Sequence, residues 1–187
     1  MTQTPAEKPF VALNIAVLTV SDTRSFDDDR SGTTLVDRLV AAGHSLVARD
    51  IVPDEVPAIR GKVEGWIADP GIDVVLTTGG TGFTGRDVTP EAVEPLFEKR
   101  MEGFSTVFHL VSFGKIGTST LQSRATAGVA NATYVFCLPG SPGACRDAWD
   151  EILVHQLDVR HRPCNFVEIL PRLDEHLKRP KARGATV

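Results

Sequence analysis

Residues 73–93 read DVVLTTGGTGFTGRDVTPEAV, and this stretch decides the fold. It begins with a short, valine-rich apolar run, 73–77, with the length and branching of a buried strand. A glycine-rich loop beginning at Thr78 follows. Thr89 then reads as an N-cap and Pro90 as the first residue of a helix that carries Val93, Leu96 and Phe97. A buried strand that feeds a helix through a short loop is half of a strand–helix–strand unit, which builds parallel sheet.

The same alternation continues on both sides. Upstream, VALNIAVLTV at 11–20 reads as a buried strand ending at Ser21 and Asp22. After a polar stretch, Leu35, Val36, Leu39 and Val40 share one helical face, and Gly43 stands where a helix stop belongs. A strand over 46–52 breaks at Pro53-Asp54-Glu55, and Val56, Ile59, Val63, Trp66 and Ile67 recur at helical spacing before Pro70-Gly71. Downstream, Phe104, Val107, Phe108 and Val111 predict a helix. A Gly/Ser/Thr-rich connector, 114–128, separates it from the strand TYVFCL at 133–138. The turn PGSPGA then leads to a helix with Ala148, Trp149, Ile152 and Leu153 inward. The expectation is an α/β fold whose mostly parallel sheet is covered on both faces. One domain over 11–177 is expected, with a disordered segment at 1–10 and a basic, flexible tail, KRPKARGATV, at 178–187.

Composition narrows the function. The chain has 187 residues, enough to bury roughly 70 per cent of its unfolded surface in one core. Lys+Arg 20 against Asp+Glu 24 gives a net charge of −4, which excludes the broad basic character of a general nucleic-acid binder. Cys137, Cys145 and Cys164 form neither a disulfide framework nor a zinc-ribbon pattern, so a reducing cytoplasm is the expected home. The run at 11–20 is too short to span a bilayer, and the residues before it carry no signal-peptide pattern. A soluble protein without membrane or nucleic-acid partners is expected.

In an open parallel sheet, ligands gather beyond the carboxyl ends of the strands. Four polar turns fall at such ends: Ser21-Asp22, Pro53-Asp54-Glu55, residues 79–87, and residues 139–143. Two are glycine-rich and lead into helices, so they offer backbone N–H groups and a positive dipole end to an anion. Asp54 and Asp87 add carboxylates to the same rim, a combination suited to a metal-bound polyphosphate. Gly80, Gly82 and Gly85 match GxGxxG, but a dinucleotide fingerprint needs its third glycine inside the opening helix of the first strand–helix unit, and here the helix starts only near Thr89. GxxxxGK[ST] does not occur. Cys164 reads as a buried, inert thiol, and the five histidines lack paired ligand spacing. Arg124 is a candidate for bidentate phosphate binding from a polar loop that can reach the rim.

LTTGGTGFTGRDVTPEAV at 76–93, VPDE at 52–55 and LPGSPGACRDAWDEIL at 138–153 resemble the MoaB/MogA family of molybdenum cofactor biosynthesis proteins, which includes the molybdopterin adenylyltransferases. GKIGTSTLQSRATAGVAN at 114–131 and RPCNF at 162–166 resemble the MoaB branch in particular. The likeness runs over residues 15–170. It implies a three-layer α/β/α sandwich of the molybdopterin-binding type, assembled as a homotrimer or homohexamer. It implies a reaction in which molybdopterin and ATP, with Mg2+, give adenylyl-molybdopterin and pyrophosphate. ATP is then a co-substrate, and no tightly bound organic cofactor is expected.

Under this resemblance the catalytic and magnesium-binding positions are Asp54 and Asp87. Substrate and nucleotide binding falls to Ser21 and Asp22, to Thr78, Gly79, Gly80, Thr81 and Gly82, to Ser123 and Arg124, and to Gly140, Ser141 and Gly143. The terminal phosphate of molybdopterin is already anionic, so no side-chain base is required. The chain departs from many relatives at Phe83-Thr84-Gly85, where those carry proline or arginine. The alternative from a different class is a non-catalytic protein that binds and carries molybdopterin, or a paralogue whose reaction has lapsed.

Overall fold

The computed structural model describes residues 8–178. Six strands form one sheet: β1 Asn14–Val20, β2 Ser45–Val52, β3 Val74–Thr78, β4 Lys99–Arg100, β5 Thr126–Ala130 and β6 Thr133–Leu138. Their order is β2-β1-β3-β6-β5-β4. β1 pairs in parallel with β2 and β3, and β3 in parallel with β6, while β5 runs antiparallel to β6 and to β4. The sheet is mostly parallel, as the alternation of strands and helices requires.

Among the helices that cover it are α1 Arg30–Ala41, α2 Val56–Ile67, α3 Thr89–Val93, α4 Glu102–Ile116 and α5 Pro142–Ala148. The period of two along the central strands separates the layers. Ile15, Val17, Val74, Leu76, Tyr134 and Phe136 face α1, α4 and α5, where Leu35, Leu39, Phe104, Phe108 and Trp149 complete the cluster. Ala16, Leu18, Val75, Val135 and Cys137 face α2 and α3, against Ile59, Val63, Ala92 and Val93. The result is a three-layer α/β/α sandwich.

Register sets up a common rim. Val20 pairs with Val52, Thr19 with Thr78, and Thr78 with Leu138, so four parallel strands end level. β5 runs the other way, and its first residue, Thr126, pairs with Cys137 near the end of β6. Residues 123–125, just before β5, therefore reach the same rim. Asp29 anchors the loop after β1. Buried at 2 per cent exposure, it caps α1 by accepting the Gly32 N–H at 2.8 Å, accepts the Thr19 hydroxyl at 2.7 Å and receives Arg49 at 3.0 Å.

Several expectations are corrected. The segment 114–128 is not a plain connector: it holds the end of α4, a 3-10 turn Gly117–Gln122 and the start of β5, whose small residues Ala125, Ala127 and Gly128 give little strand signal. Thr89 is not the N-cap of α3; Val88 is, and the Thr89 hydroxyl instead donates to the Gly79 carbonyl at 2.8 Å. Phe97 lies beyond the helical turns. Val40 and Val107, counted in the apolar patterns that predicted their helices, are 55 and 44 per cent exposed. Gly43 does stop α1, with φ +93°. The predicted segment 1–10 and tail 178–187 lie mostly outside the described residues; within them, Phe10 packs on His44 with ring centroids 5.1 Å apart.

His44 is buried against Phe10 and Trp149, and its Nδ1 accepts the Leu13 N–H at 3.2 Å. Burial holds its pKa below the ordinary histidine value, against the pull of Asp158. The unfolded chain therefore binds a proton here before the folded one does, so stability rises with pH through about 6.5 and falls as pH drops below it. We expect urea unfolding at pH 5 and pH 7.5 to differ less in His44→Gln than in the native protein. An unchanged difference would remove His44 from the acid sensitivity of the fold.

Candidate functional site

The rim is built by close approach of backbone. Gly79 has φ +106°, and a Cβ placed there would meet the Val20 carbonyl oxygen at 2.2 Å. Its N–H donates to the Leu138 carbonyl at 3.0 Å. Gly80 has φ +63°, and its Cβ would fall 2.4 Å from the Thr89 hydroxyl and 3.1 Å from Asp54 Oδ1. A Cβ on Gly140 would lie 3.1 Å from the Gly79 Cα. The absence of side chains at these positions lets the loops after β1, β3 and β6 close on one another.

Asp22 and Asp54 lock the neighbouring loops. Asp22 N–H donates to Asp54 Oδ2 at 2.9 Å, and Asp54 N–H donates to Asp22 Oδ1 at 3.1 Å. Arg86 then clamps Asp22 from the glycine loop with two hydrogen bonds of 2.9 and 2.7 Å. Those bonds hold the Asp22 carboxyl below the usual carboxylate range. Arg86 was not legible as a site residue: it gives no periodic signal, and its partner lies 64 positions away in the chain.

The two other carboxylates diverge. Burial raises Asp54, helped by the charges of Asp22 and Asp87 and opposed by the Asp22 N–H and by Arg86. Burial also raises Asp87, but hydrogen bonds from the Thr84 hydroxyl and from the Thr84 and Gly82 N–H groups outweigh it, leaving Asp87 lowered. The Thr84 contacts measure 2.6 and 2.8 Å. Asp87 also packs against Gly82, where a Cβ would lie 2.8 Å from Oδ2. Burial thus raises the one carboxylate while hydrogen bonds lower the other, Asp54 beside Gly80 and Asp87 beside Gly82.

The remaining candidates divide by what their side chains do. Arg124 lies at the rim, but its guanidinium is committed: Nε donates to the Gly82 carbonyl at 2.7 Å, Nη2 to the Asp87 carbonyl at 2.7 Å, and Nη1 pairs with Glu91. Its own N–H donates to Thr81 O at 2.8 Å. It is a strut of the glycine loop, with three of its five guanidinium N–H donors spent on these contacts. Thr78 is fully buried, with its hydroxyl on the Pro139 carbonyl at 2.9 Å and near Cys145. The Ser123 hydroxyl accepts the Ala125 N–H, and the Ser21 hydroxyl accepts the Thr23 and Arg24 N–H groups. Ser141 caps α5 by accepting the Ala144 N–H at 3.1 Å, and Gly143 sits in the first turn.

Cys164 is exposed, contrary to the buried thiol expected. It lies beside Phe166, whose carbonyl accepts the hydroxyl of Tyr134 at the start of β6, far from the rim. The buried thiols are Cys137 and Cys145, each pushed up to about 12 by burial.

Among the described residues, no group of three or more His, Cys, Asp or Glu side chains is placed to hold a metal ion. Mg2+ needs less: it is commonly held by one or two carboxylates together with substrate phosphates. Asp54 and Asp87 supply carboxylate oxygens of the kind Mg2+ takes. Clefts of about 420 and 470 Å3 flank the rim, one beside Arg30 and Arg146 and the other beside Arg124 and Ser105, and neither is lined by the two aspartates.

Residues 16–159 match the family model described as a probable molybdopterin binding domain. The chain belongs to this family. It is 54% identical over 157 residues to molybdenum cofactor biosynthesis protein B of Escherichia coli (strain K12), covering 84% of this chain and 92% of that one. Against the protein of the same name from Bacillus subtilis (strain 168), identity is 44% over 142 residues, 75% of this chain and 84% of the other. A crystal structure of a molybdenum cofactor biosynthesis protein B superposes with a TM-score of 0.79 at 36% identity, covering 91% of this chain and 99% of that one. The MoaB/MogA resemblance and the sandwich fold both hold. No helix among the described residues is long and apolar enough to cross a membrane.

Because burial raises Asp54, its ionised form is the costly one in the fold, and stability falls as pH rises through its raised pKa. We expect Asp54→Asn, which keeps an acceptor for the Asp22 N–H and removes the charge, to melt at or above the native temperature at pH 7. The two should converge below about pH 3.9, where aspartate is neutral in both states. A lower melting temperature for Asp54→Asn at pH 7 would show that the carboxylate is not strained.

Proposed function

We propose that this protein acts in molybdenum cofactor biosynthesis as a molybdopterin adenylyltransferase. The observation that carries the reading is the placement of Asp54 and Asp87 beside one glycine-rich loop at the carboxyl ends of the parallel strands: a Cβ on Gly80 would lie 3.1 Å from Asp54, and one on Gly82 2.8 Å from Asp87. A carrier for a phosphorylated pterin has no need of two carboxylates facing its anionic ligand. A transferase that brings two anions together does, because the carboxylates can hold a cation between them.

In the reaction, an oxygen of the molybdopterin phosphate forms a bond to the α-phosphorus of ATP, and the bond from that phosphorus to the bridging oxygen breaks, releasing pyrophosphate. No proton need be removed from the nucleophile. The obstacle is bringing two anions together, so the protein's part is placement and charge compensation. Asp87 and Asp54 are the residues that would hold magnesium, which when bound offsets the negative charge of the phosphates. The loop at 79–82 offers backbone to phosphate, and the first turn of α5 adds its positive dipole end. Arg124 and Arg86 act by position: the first fixes the carbonyls of Gly82 and Asp87, and the second ties the loop to Asp22.

Purified protein supplied with molybdopterin, ATP and magnesium should release pyrophosphate and adenylyl-molybdopterin together. Asp87→Asn should lose at least about 2 kcal/mol of transition-state stabilisation, roughly thirtyfold in kcat/KM, while remaining folded. Molybdopterin binding without nucleotide consumption would favour the carrier. Unchanged turnover in Asp87→Asn would remove that residue from the mechanism.

The same reading includes a homo-oligomer. α4 presents Val107, Leu110, Phe113 and Ile116 to solvent, and Leu121 beyond it is 69 per cent exposed. An apolar face of this kind marks a protein contact. Light scattering should give a multiple of 20.2 kDa for the native chain and a smaller particle for Leu110→Glu. A native monomer would refute the assembly.

A further inference from the structure

Phe83 is the one large apolar side chain between Leu76 and Val88, and it is 70 per cent exposed. It lies on the loop that carries Gly79, Gly80, Gly82 and Asp87. The Arg124 guanidinium carbon lies 5.6 Å from the ring centroid, so the ring sits over a fixed cation. Three acceptors hold that cation in place: the carbonyls of Gly82 and Asp87 and the carboxylate of Glu91. A loop of glycine, threonine and charged residues has no packing use for an exposed phenyl group, and a ring supported from one side offers its free surface to another ring.

We propose that Phe83 is the stacking platform for the planar nitrogen heterocycle of a phosphate-bearing substrate held at this loop. The proposal deepens the transferase reading and rests on it for the identity of the ligands. Both substrates of that reaction join such a heterocycle to phosphate: the adenine of ATP and the pterin of molybdopterin. The phosphate end belongs to the backbone of the glycine loop and the two aspartates, and the ring end to Phe83, immediately after Gly82. Phe26, the other exposed phenylalanine at the rim, lies over Arg49, which is tied to Asp29 and Thr33 of α1 rather than to the loop carrying Asp87.

The test compares the native protein with Phe83→Ala, Phe83→Leu and Phe83→Tyr. Mg-ATP and inorganic tripolyphosphate affinities are measured by calorimetry, and molybdopterin affinity by pterin fluorescence. Alanine and leucine should weaken one ring-bearing ligand about tenfold, and tyrosine should restore it, as stacking rather than apolar bulk requires. Tripolyphosphate, which has no ring, should bind all four proteins alike. The ligand that weakens identifies the ring: ATP marks adenine, molybdopterin marks the pterin. Unchanged affinities for both, or a parallel loss for tripolyphosphate, would overturn the platform. Phe83-dependent binding in a native protein that forms no adenylyl product would leave the platform standing and the transferase reading refuted. A native protein that binds neither ring-bearing ligand would refute both.

Discussion

The site depends on one steric condition: residue 79 can have no side chain. Its Cα lies between the end of β1 and the loop after β6, so that a Cβ would overlap the Val20 carbonyl at 2.2 Å, and its φ of +106° is one that other residues adopt only with strain. With Gly79 in place, its N–H reaches the Leu138 carbonyl and its carbonyl receives the Thr89 hydroxyl. Three strands and the start of α3 are thereby tied at a single residue. The level ends of β1, β3 and β6 become a close-packed rim with no room for a side chain at residue 79.

Charge is arranged on this rim by the same economy of space. Asp22 and Asp54 exchange backbone hydrogen bonds, leaving the Arg86 clamp to fall on Asp22. Asp54, partly buried near two other carboxylates, is raised, whereas Asp87, wrapped by loop N–H groups and the Thr84 hydroxyl, is lowered. Two aspartates of the same intrinsic acidity thus acquire different properties from their surroundings. Arg86 and Arg124 stand among these carboxylates, so the rim carries charges of both signs.

Part of this was legible in the sequence because local signals and tertiary structure agree. The β-branched runs at β1 and β3, the break at Pro53 and the stop at Gly43 appear where a parallel sheet needs them, and Asp54 and Asp87 lie in loops that can only leave its carboxyl edge. β5 was missed because alanine and glycine carry little strand preference, and its pairing with β6 comes from packing rather than from its own side chains. Thr89 was read as a cap because threonine before proline usually is one, but its hydroxyl is drawn to the nearby Gly79 carbonyl instead.

The sequence by itself determined the alternation of strands and helices and the glycine and aspartate turns at the strand ends, since both follow from periodicity and from local turn chemistry. Tertiary structure alone decided what each of those residues does. Arg124 reads in the sequence as a candidate phosphate ligand because guanidinium groups commonly are, and the antiparallel course of β5 also brings it against the carbonyls of Gly82 and Asp87, where it braces the glycine loop. The opposite shifts of Asp54 and Asp87, the clamp of Arg86 on Asp22 and the support of Phe83 by Arg124 all join residues far apart in the chain. Distance along a sequence carries no information about such pairs. Burial and hydrogen-bond geometry, which fix their chemistry, exist only once the sheet has brought its ends together.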